Sequence, residues 1–239
     1  MLARVLEPEV MDTAEDARDY DAMDHSAVNQ LFAAEFLEVW DGTSPILDVG
    51  TGTAQIPIEL CRLHASLIEA SREAIPHVST PVWGELRIVA IDLADHMLTL
   101  ARQNVERANL TSQIQLEKAD AKGFAYPDRH FGAVISNSII HHIPDPSCCF
   151  AQMHRVCALE GTVFVRDLLR PSSSATLEHI VNTYAAGAND HQRRLFAESL
   201  HAALTLDEVR AFVGTLGYPP ESVQQTSDRH WTWADIRRV

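Results

Sequence analysis

The sequence predicts an α/β fold built on an open, mostly parallel sheet, and three observations carry that prediction. Short β-rich runs recur along the chain, PILDVG, RIVAID, IQLEKAD, FGAVISNS and GTVFVRDLL, with helical patterns between them. That alternation is what parallel strands joined by right-handed crossovers require. The first run ends in a glycine-bearing turn feeding a helix, Ile46-Leu47-Asp48-Val49-Gly50-Thr51-Gly52-Thr53-Ala54-Gln55, as at sheet edges that bind ligands. The 239 residues include 46% hydrophobic and 22% charged side chains, enough for one sizeable core with a small cap and short for two large domains.

Taken in order, residues 1–44 read as an N-terminal helical segment that includes a helix around Asn29 to Trp40, and residues 45–239 as the main domain. Residues 62–85 exceed a usual connection and contain Pro76 and Pro81, so a helical extension and a loop are expected, with oligomer contacts as a use. A helix opens near Asp95, with Leu98, Ala101, Arg102 and Val105 sharing a face. After Pro171 two helical patterns, Leu177, Ile180, Val181, Tyr184 and then Leu195, Phe196, Ser199, Leu200, read as a helical cap at about 172–203. Thr205-Leu206-Asp207-Glu208 has the form of a capping box for a helix that stops at Gly217. The closing run SVQQTSDRHWTWADIRRV supplies one or two further strands, with Trp231 and Trp233 alternating with polar residues.

The net charge of -14, from 33 acidic against 19 basic side chains, repels phosphate backbones, and no Lys/Arg run reverses it locally, so nucleic acid is not expected as a partner. No uncharged stretch is apolar enough to span a bilayer, and the start MLARVLEPEVMDTAED meets Glu7 and Glu9 early, so a cytoplasmic address is expected. Cys61, Cys148, Cys149 and Cys157 lack CxxC spacing and read as reduced, mostly buried thiols. The sharper alternative is a soft-metalloid site on Cys148, Cys149 and Cys157, of the kind arsenite methyltransferases have.

A glycine turn after a strand is weak evidence alone, being equally a tight structural turn or another nucleotide site. A dinucleotide site wants G-x-G-x-x-G, whereas the third glycine position holds Gln55 and the next strand-end acid, Asp92, comes late. The stretch instead resembles motif I of the class I S-adenosylmethionine (SAM)-dependent methyltransferases, with Ala54 where a third glycine is common. The resemblance covers roughly residues 46–170 and is closest, at Ser138-Ile139-Ile140-His141-His142-Ile143-Pro144, to the small-molecule branch that includes the ubiquinone and menaquinone biosynthesis methyltransferases.

That resemblance implies a Rossmann-like, doubly wound sheet of seven strands, mostly parallel, with helices on both faces, and SAM as cofactor with S-adenosylhomocysteine as product. It implies that Asp48, Gly50, Thr51, Gly52 and Gln55 hold the methionine part. Asp92 and Leu93 would meet the ribose, where two hydroxyls can bond one carboxylate; a helix N-terminal cap is the other reading of Asp92. Met97, Asp120 and Ala121 would face adenine, against plain core for Met97 and a solvated strand-end acid for Asp120. Asn137 and His142 complete the cofactor set at the fourth strand, whose Gly132 replaces the family's usual Asp.

His141 and Asp167 are the candidate catalytic pair bordering the acceptor, against readings as a core histidine and a fold-stabilising acid. No metal is expected, because sequence neighbours point apart on a helix and no further ligand sits at zinc spacing. The expected reaction moves a methyl group from SAM to a small-molecule acceptor at an O, C or N nucleophile. The alternatives are an NAD-dependent oxidoreductase and a SAM-binding relative without catalysis. A homodimer is left open. The segment around Tyr20, Met23, Asp24, His25 and Asn29 is a candidate lid.

Overall fold

The computed structural model of the chain describes residues 2–7, 13–23, 25–74 and 85–238. Two helices, α1 (Ala14–Ala22) and α2 (Ser26–Val39), precede β1 (Ile46–Val49), α3 (Gln55–Ala74), β2 (Ile88–Asp92), α4 (Asp95–Arg107), β3 (Ile114–Lys118) and β4 (Phe131–Asn137). A 3-10 turn, Ile140–His142, leads to α5 (Ser147–Val156) and β5 (Cys157–Leu168). The chain then runs through α6 (Ser174–Tyr184), α7 (Asp190–Ala202), α8 (Leu206–Thr215), β6 (Val223–Gln225) and β7 (His230–Ile236).

The seven strands form one sheet in the order β3-β2-β1-β4-β5-β7-β6, parallel from β3 to β5. β7 runs antiparallel to both β5 and β6. The order reverses between β1 and β4, the switch point outside which open sheets of this kind bind ligands. Period-two alternation sends Leu47, Val49, Ile91, Val134 and Val163 to a core shared with α5 and α8, and Ile46, Ile88, Ala90, Ile135 and Phe164 to a core shared with α2, α3 and α4. Trp231 and Trp233 lie in the first core, both fully buried on β7.

Helix α2 belongs to the sheet's own core: Phe32, Phe36 and Trp40 pack with Ile46, Ile88 and Phe164, with Phe32 edge-on to Phe164 at 5.1 Å. The segment ahead of residue 45 is therefore divided, with α2 integral to the fold and α1 resting on α4 through Ala17 and Tyr20 beside Met97. Helices α6 and α7 form a separate apolar cluster over the end of β5, from Leu168, Leu177, Ile180, Val181 and Leu200. Asn189 opens α7 with a reciprocal capping box, and Thr205 and Glu208 do the same for α8. The 62–85 extension continues α3 to Ala74, and its loop half, 75–84, lies outside the described residues.

Two local departures from the family pattern have physical causes. Ala54 takes the missing glycine's conformation itself, at φ 65; an L-residue there costs on the order of 1 kcal/mol. A Cβ on Gly132 would lie 2.4 Å from the Thr43 carbonyl oxygen, so the backbone packing of β4 leaves no room for the usual Asp.

Candidate active site

Parallel strands deliver their carboxyl ends to one edge, and two adjacent hollows open there. The larger, about 820 Å³ and open to solvent, is lined by Gly50, Gly52, Asp92, Leu93, Met97, Asp120, Ala121, Asn137 and His142. The smaller, about 310 Å³, is lined by Asp48, Thr51 and Gln55, and shares Tyr20, Gly50 and Asn137 with the larger. All twelve residues expected to hold the cofactor border one hollow or the other.

The loop between β1 and α3 is shaped by backbone bonds. Gly50 and Thr51 both donate to the Ile91 carbonyl at 2.9 Å. Gly50 sits at φ 75, and a Cβ there would fall 2.4 Å from Ile139 Cδ1. Asp92 Oδ2 accepts from Gly52 N at 2.8 Å and Oδ1 from Ala94 N at 2.9 Å, so its carboxylate ties loop to helix start while lining the larger hollow. Asp120 Oδ1 accepts from Lys122 N at 2.8 Å and pairs with Lys122 Nζ at 3.1 Å. Gln55 receives the Asn29 amide on Oε1 at 3.1 Å and donates to Asp21, joining the N-terminal helices to the glycine loop.

Among the described residues, several buried acceptors along this edge have no hydrogen bond inside the protein, including Asp48 Oδ2, Thr51 Oγ1, Thr53 Oγ1 and Asn137 Oδ1. Orphaned buried acceptors suit a ligand that brings donors. Burial pushes the Asp48 carboxyl up to about 7, against the pull of the Thr51 hydroxyl and with the Asp92 charge adding to the rise. Tyr20, roofing both hollows, is likewise raised to about 12 by burial and by the Asp92 and Asp48 charges. These observations fit SAM, a ligand with an ammonium group, two ribose hydroxyls and an adenine amine to donate. The lid candidates Tyr20 and Asn29 border this edge, while Asp24 lies outside the described residues.

The expected catalytic pair sits elsewhere. His141 is 4% exposed and Asp167 1%, and neither lines the hollows. Asp167 Oδ2 accepts the backbone N–H of Ile140 at 2.5 Å and of His141 at 3.3 Å, while Oδ1 meets His141 Nδ1 at 2.5 Å and accepts from Leu168 N at 2.5 Å. A carboxylate spent on three amides and an imidazole holds the 139–143 wall in place and has no face left for an acceptor. Burial opposes ionisation of Asp167, yet His141 and the Leu168 amide hold its carboxyl below the usual range. His142, not His141, is the histidine at the cavity.

The two histidines also do not diverge. Their segment is a tight 3-10 turn, the ring centroids are 4.2 Å apart, and Glu7 Oε1 lies 3.4 Å from His141 Nε2 and 3.1 Å from His142 Nδ1. Glu7 arrives on an N-terminal strap clasped by Arg4, whose guanidinium donates to the carbonyls of Ala202, Pro144, Ile143 and His141. Neither residue was singled out from sequence as part of a site, since nothing local to Arg4 or Glu7 marks a contact made more than 130 residues away. All four cysteines are free, three of them buried, and among the described residues no cysteines gather as a metal or metalloid cluster.

The comparisons agree with this geometry. The family described as "Methyltransferase domain" matches residues 78–165. The chain is 26% identical over 165 residues to the 27-O-demethylrifamycin SV methyltransferase of Amycolatopsis mediterranei, covering 68% of this chain and 57% of that protein. It is 22% identical over 189 residues to the ubiquinone/menaquinone biosynthesis C-methyltransferase UbiE of a Marinomonas species, covering 75% and 68%. The chain thus spans little more than half the length of the first of these relatives. A solved SAM-dependent methyltransferase from Aquifex aeolicus shares the fold at a TM-score of 0.61, with 13% identity over 94% of this chain and 98% of that one. In sheet order, glycine loop and matched domain together, the chain is similar to the class I SAM-dependent methyltransferases.

Proposed function

We propose that this protein transfers the methyl group of SAM to a small-molecule acceptor. The observation that carries the reading is the set of strand-end polar groups, Asp48, Asp92, Asp120 and Asn137, gathered around two adjacent hollows of unequal size. The larger hollow takes the adenosine, with Asp92 and Leu93 toward the ribose, Asp120 toward the adenine amine, and Met97 and Ala121 against the ring. The smaller takes the amino-acid end, with ionised Asp48 facing its ammonium and the Gly50–Gly52 loop close to its backbone atoms. SAM supplies an already activated methyl group, so the chain's task is to align the acceptor and exclude water.

Asp167 and His141 act in this scheme as positioning residues for the wall that ends at His142 and Ile143. Helix α1, with Tyr20, serves as the lid over the hollows, and α6 and α7 bound the acceptor side. The 1–44 and 45–239 division is kept only for α1 and the strap. An acidic chain with free, mostly buried thiols suits the cytoplasm, and among the described residues no helix is long and apolar enough to cross a membrane. Calorimetry with S-adenosylhomocysteine and NAD tests the reading: the first should bind and the second should not. NAD binding tighter than S-adenosylhomocysteine would replace methyl transfer by the oxidoreductase alternative. Binding without methyl release from labelled SAM to any of a broad panel of phenols, quinols and amines would favour the non-catalytic alternative.

A further inference from the structure

A second cluster beside the cofactor hollow has a chemistry of its own. Glu7, His141 and His142 each present one donor atom, and all three atoms lie within 4.8 Å of one another. Glu7 Oε1 is buried and makes no hydrogen bond, although two imidazole nitrogens stand 3.4 and 3.1 Å from it. Donors about 2.1 Å from one ion in tetrahedral or octahedral arrangement lie about 3.0–3.4 Å apart. The two separations therefore match the edges of a coordination polyhedron better than they match hydrogen bonds, whose angles are not met.

The surroundings are those of a ligand set held for a cation. Asp167 Oδ1 takes His141 Nδ1 at 2.5 Å, which turns Nε2 toward Glu7, and metal-binding histidines commonly give their other nitrogen to such a carboxylate. Ser199 Oγ donates to Glu7 Oε2 at 3.0 Å, fixing the second oxygen and leaving Oε1 directed at the rings. The Glu7 side chain is 7% exposed, and with Asp167 it places two carboxylates against two imidazoles in a buried space. A dication balances those charges with both rings neutral. The Arg4 guanidinium is spent on backbone carbonyls of the same turn.

We propose that Glu7 Oε1, His141 Nε2 and His142 Nδ1 bind one divalent transition-metal ion of the zinc type, with Asp167 as the outer carboxylate that orients His141. Two imidazoles and one carboxylate select such an ion over magnesium or calcium, which take oxygen donors. Three protein ligands leave a position open, and His142 at the cavity wall provides the way in. The site stands on these residues alone and does not depend on methyl transfer.

The test uses the full chain, free of any purification tag and stripped by chelator, titrated with Co2+ and then Zn2+. One equivalent of Co2+ should bind with visible d–d absorption and be displaced by Zn2+. X-ray absorption of the Zn2+-loaded parent should show two imidazole ligands, a readout that needs no variant. Glu7→Gln should weaken Co2+ binding at least about 10-fold while S-adenosylhomocysteine still binds, and Asp167→Asn should weaken it about 10- to 100-fold. The proposal is overturned if parental protein that binds S-adenosylhomocysteine takes up no Co2+ or Zn2+, or if uptake is unchanged in Glu7→Gln. Metal uptake without S-adenosylhomocysteine binding would sink the methyl-transfer reading and leave the metal site standing.

Discussion

The two halves of the carboxyl edge are built by opposite means. On the side of β1, β2 and β3, polar groups come from the ends of successive strands and are held mainly by neighbours close in sequence, as Asp92 is by Ala94 N and Asp120 by Lys122 N, with the Gly52 N–Asp92 bond joining the first strand's turn to the second strand. On the side of β5 and the cap, the wall is assembled from distant pieces: Arg4 and Glu7 from the strap, His141 and His142 from the turn, Asp167 from β5 and Ser199 from α7. The first half is a scaffold that local rules specify. The second exists only when chain segments far apart in sequence have met.

The strongest attack on the local half is Gly50→Ala. Its φ of 75 disfavours any side chain, and the new Cβ would displace Ile139 from 2.4 Å. S-adenosylhomocysteine affinity should fall by about 100-fold or more, with about 1–3 kcal/mol of stability lost; calorimetry and thermal melting read both. Next comes Asp92→Ala, which removes a carboxylate bonded to two backbone amides and facing the hollow. A loss of about 2 kcal/mol in ligand binding, roughly 30-fold, is expected in a folded protein. An unchanged dissociation constant would reduce Asp92 to a helix cap.

Asp48 sharpens the comparison through pH. Its carboxyl titrates near 7 in the folded chain against an ordinary value of 3.8, so the native state holds a proton that the unfolded state has released. Stability should therefore decline as pH rises from about 4 to about 7, by up to roughly 1.4 kcal/mol per pH unit, and level off above. Asp48→Asn should flatten that slope in denaturant melts taken across the range. Binding a ligand ammonium should draw the proton off, so at pH 6 calorimetry in buffers of different ionisation enthalpy should record proton release on binding.

The distant half should yield to Arg4→Ala, which strips four carbonyl contacts from the strap. Melting should drop by about 4 °C or more, while S-adenosylhomocysteine affinity stays within about threefold, since no strap residue lines the hollows. A large loss of cofactor affinity would mean the halves are coupled. The smallest expected effect is slower amide exchange in α1, 14–22, when S-adenosylhomocysteine is bound. Equal exchange with and without ligand would make α1 a fixed surface helix and not a lid.

The sequence alone determined the α/β class, the five parallel-strand runs, the glycine turn after the first of them and the caps at Thr205 and Gly217, each by a rule acting over a few residues: hydrophobic alternation along a strand, a glycine where φ must be positive, and a capping pair at a helix end. The count of seven strands and the residues expected at the cofactor hollows were what the resemblance to a known family implied. Only the tertiary structure decided that α2 is core through Phe32 and Phe36, that Gly132 yields its side chain to the Thr43 carbonyl, and that His142 reaches the cavity while His141 is buried. It alone set Asp167 to hold a turn and brought Glu7 between two imidazoles that helical spacing had placed apart. Those outcomes depend on which distant surfaces pack together and which backbone amides a buried carboxylate finds, and no window of neighbouring residues contains that information.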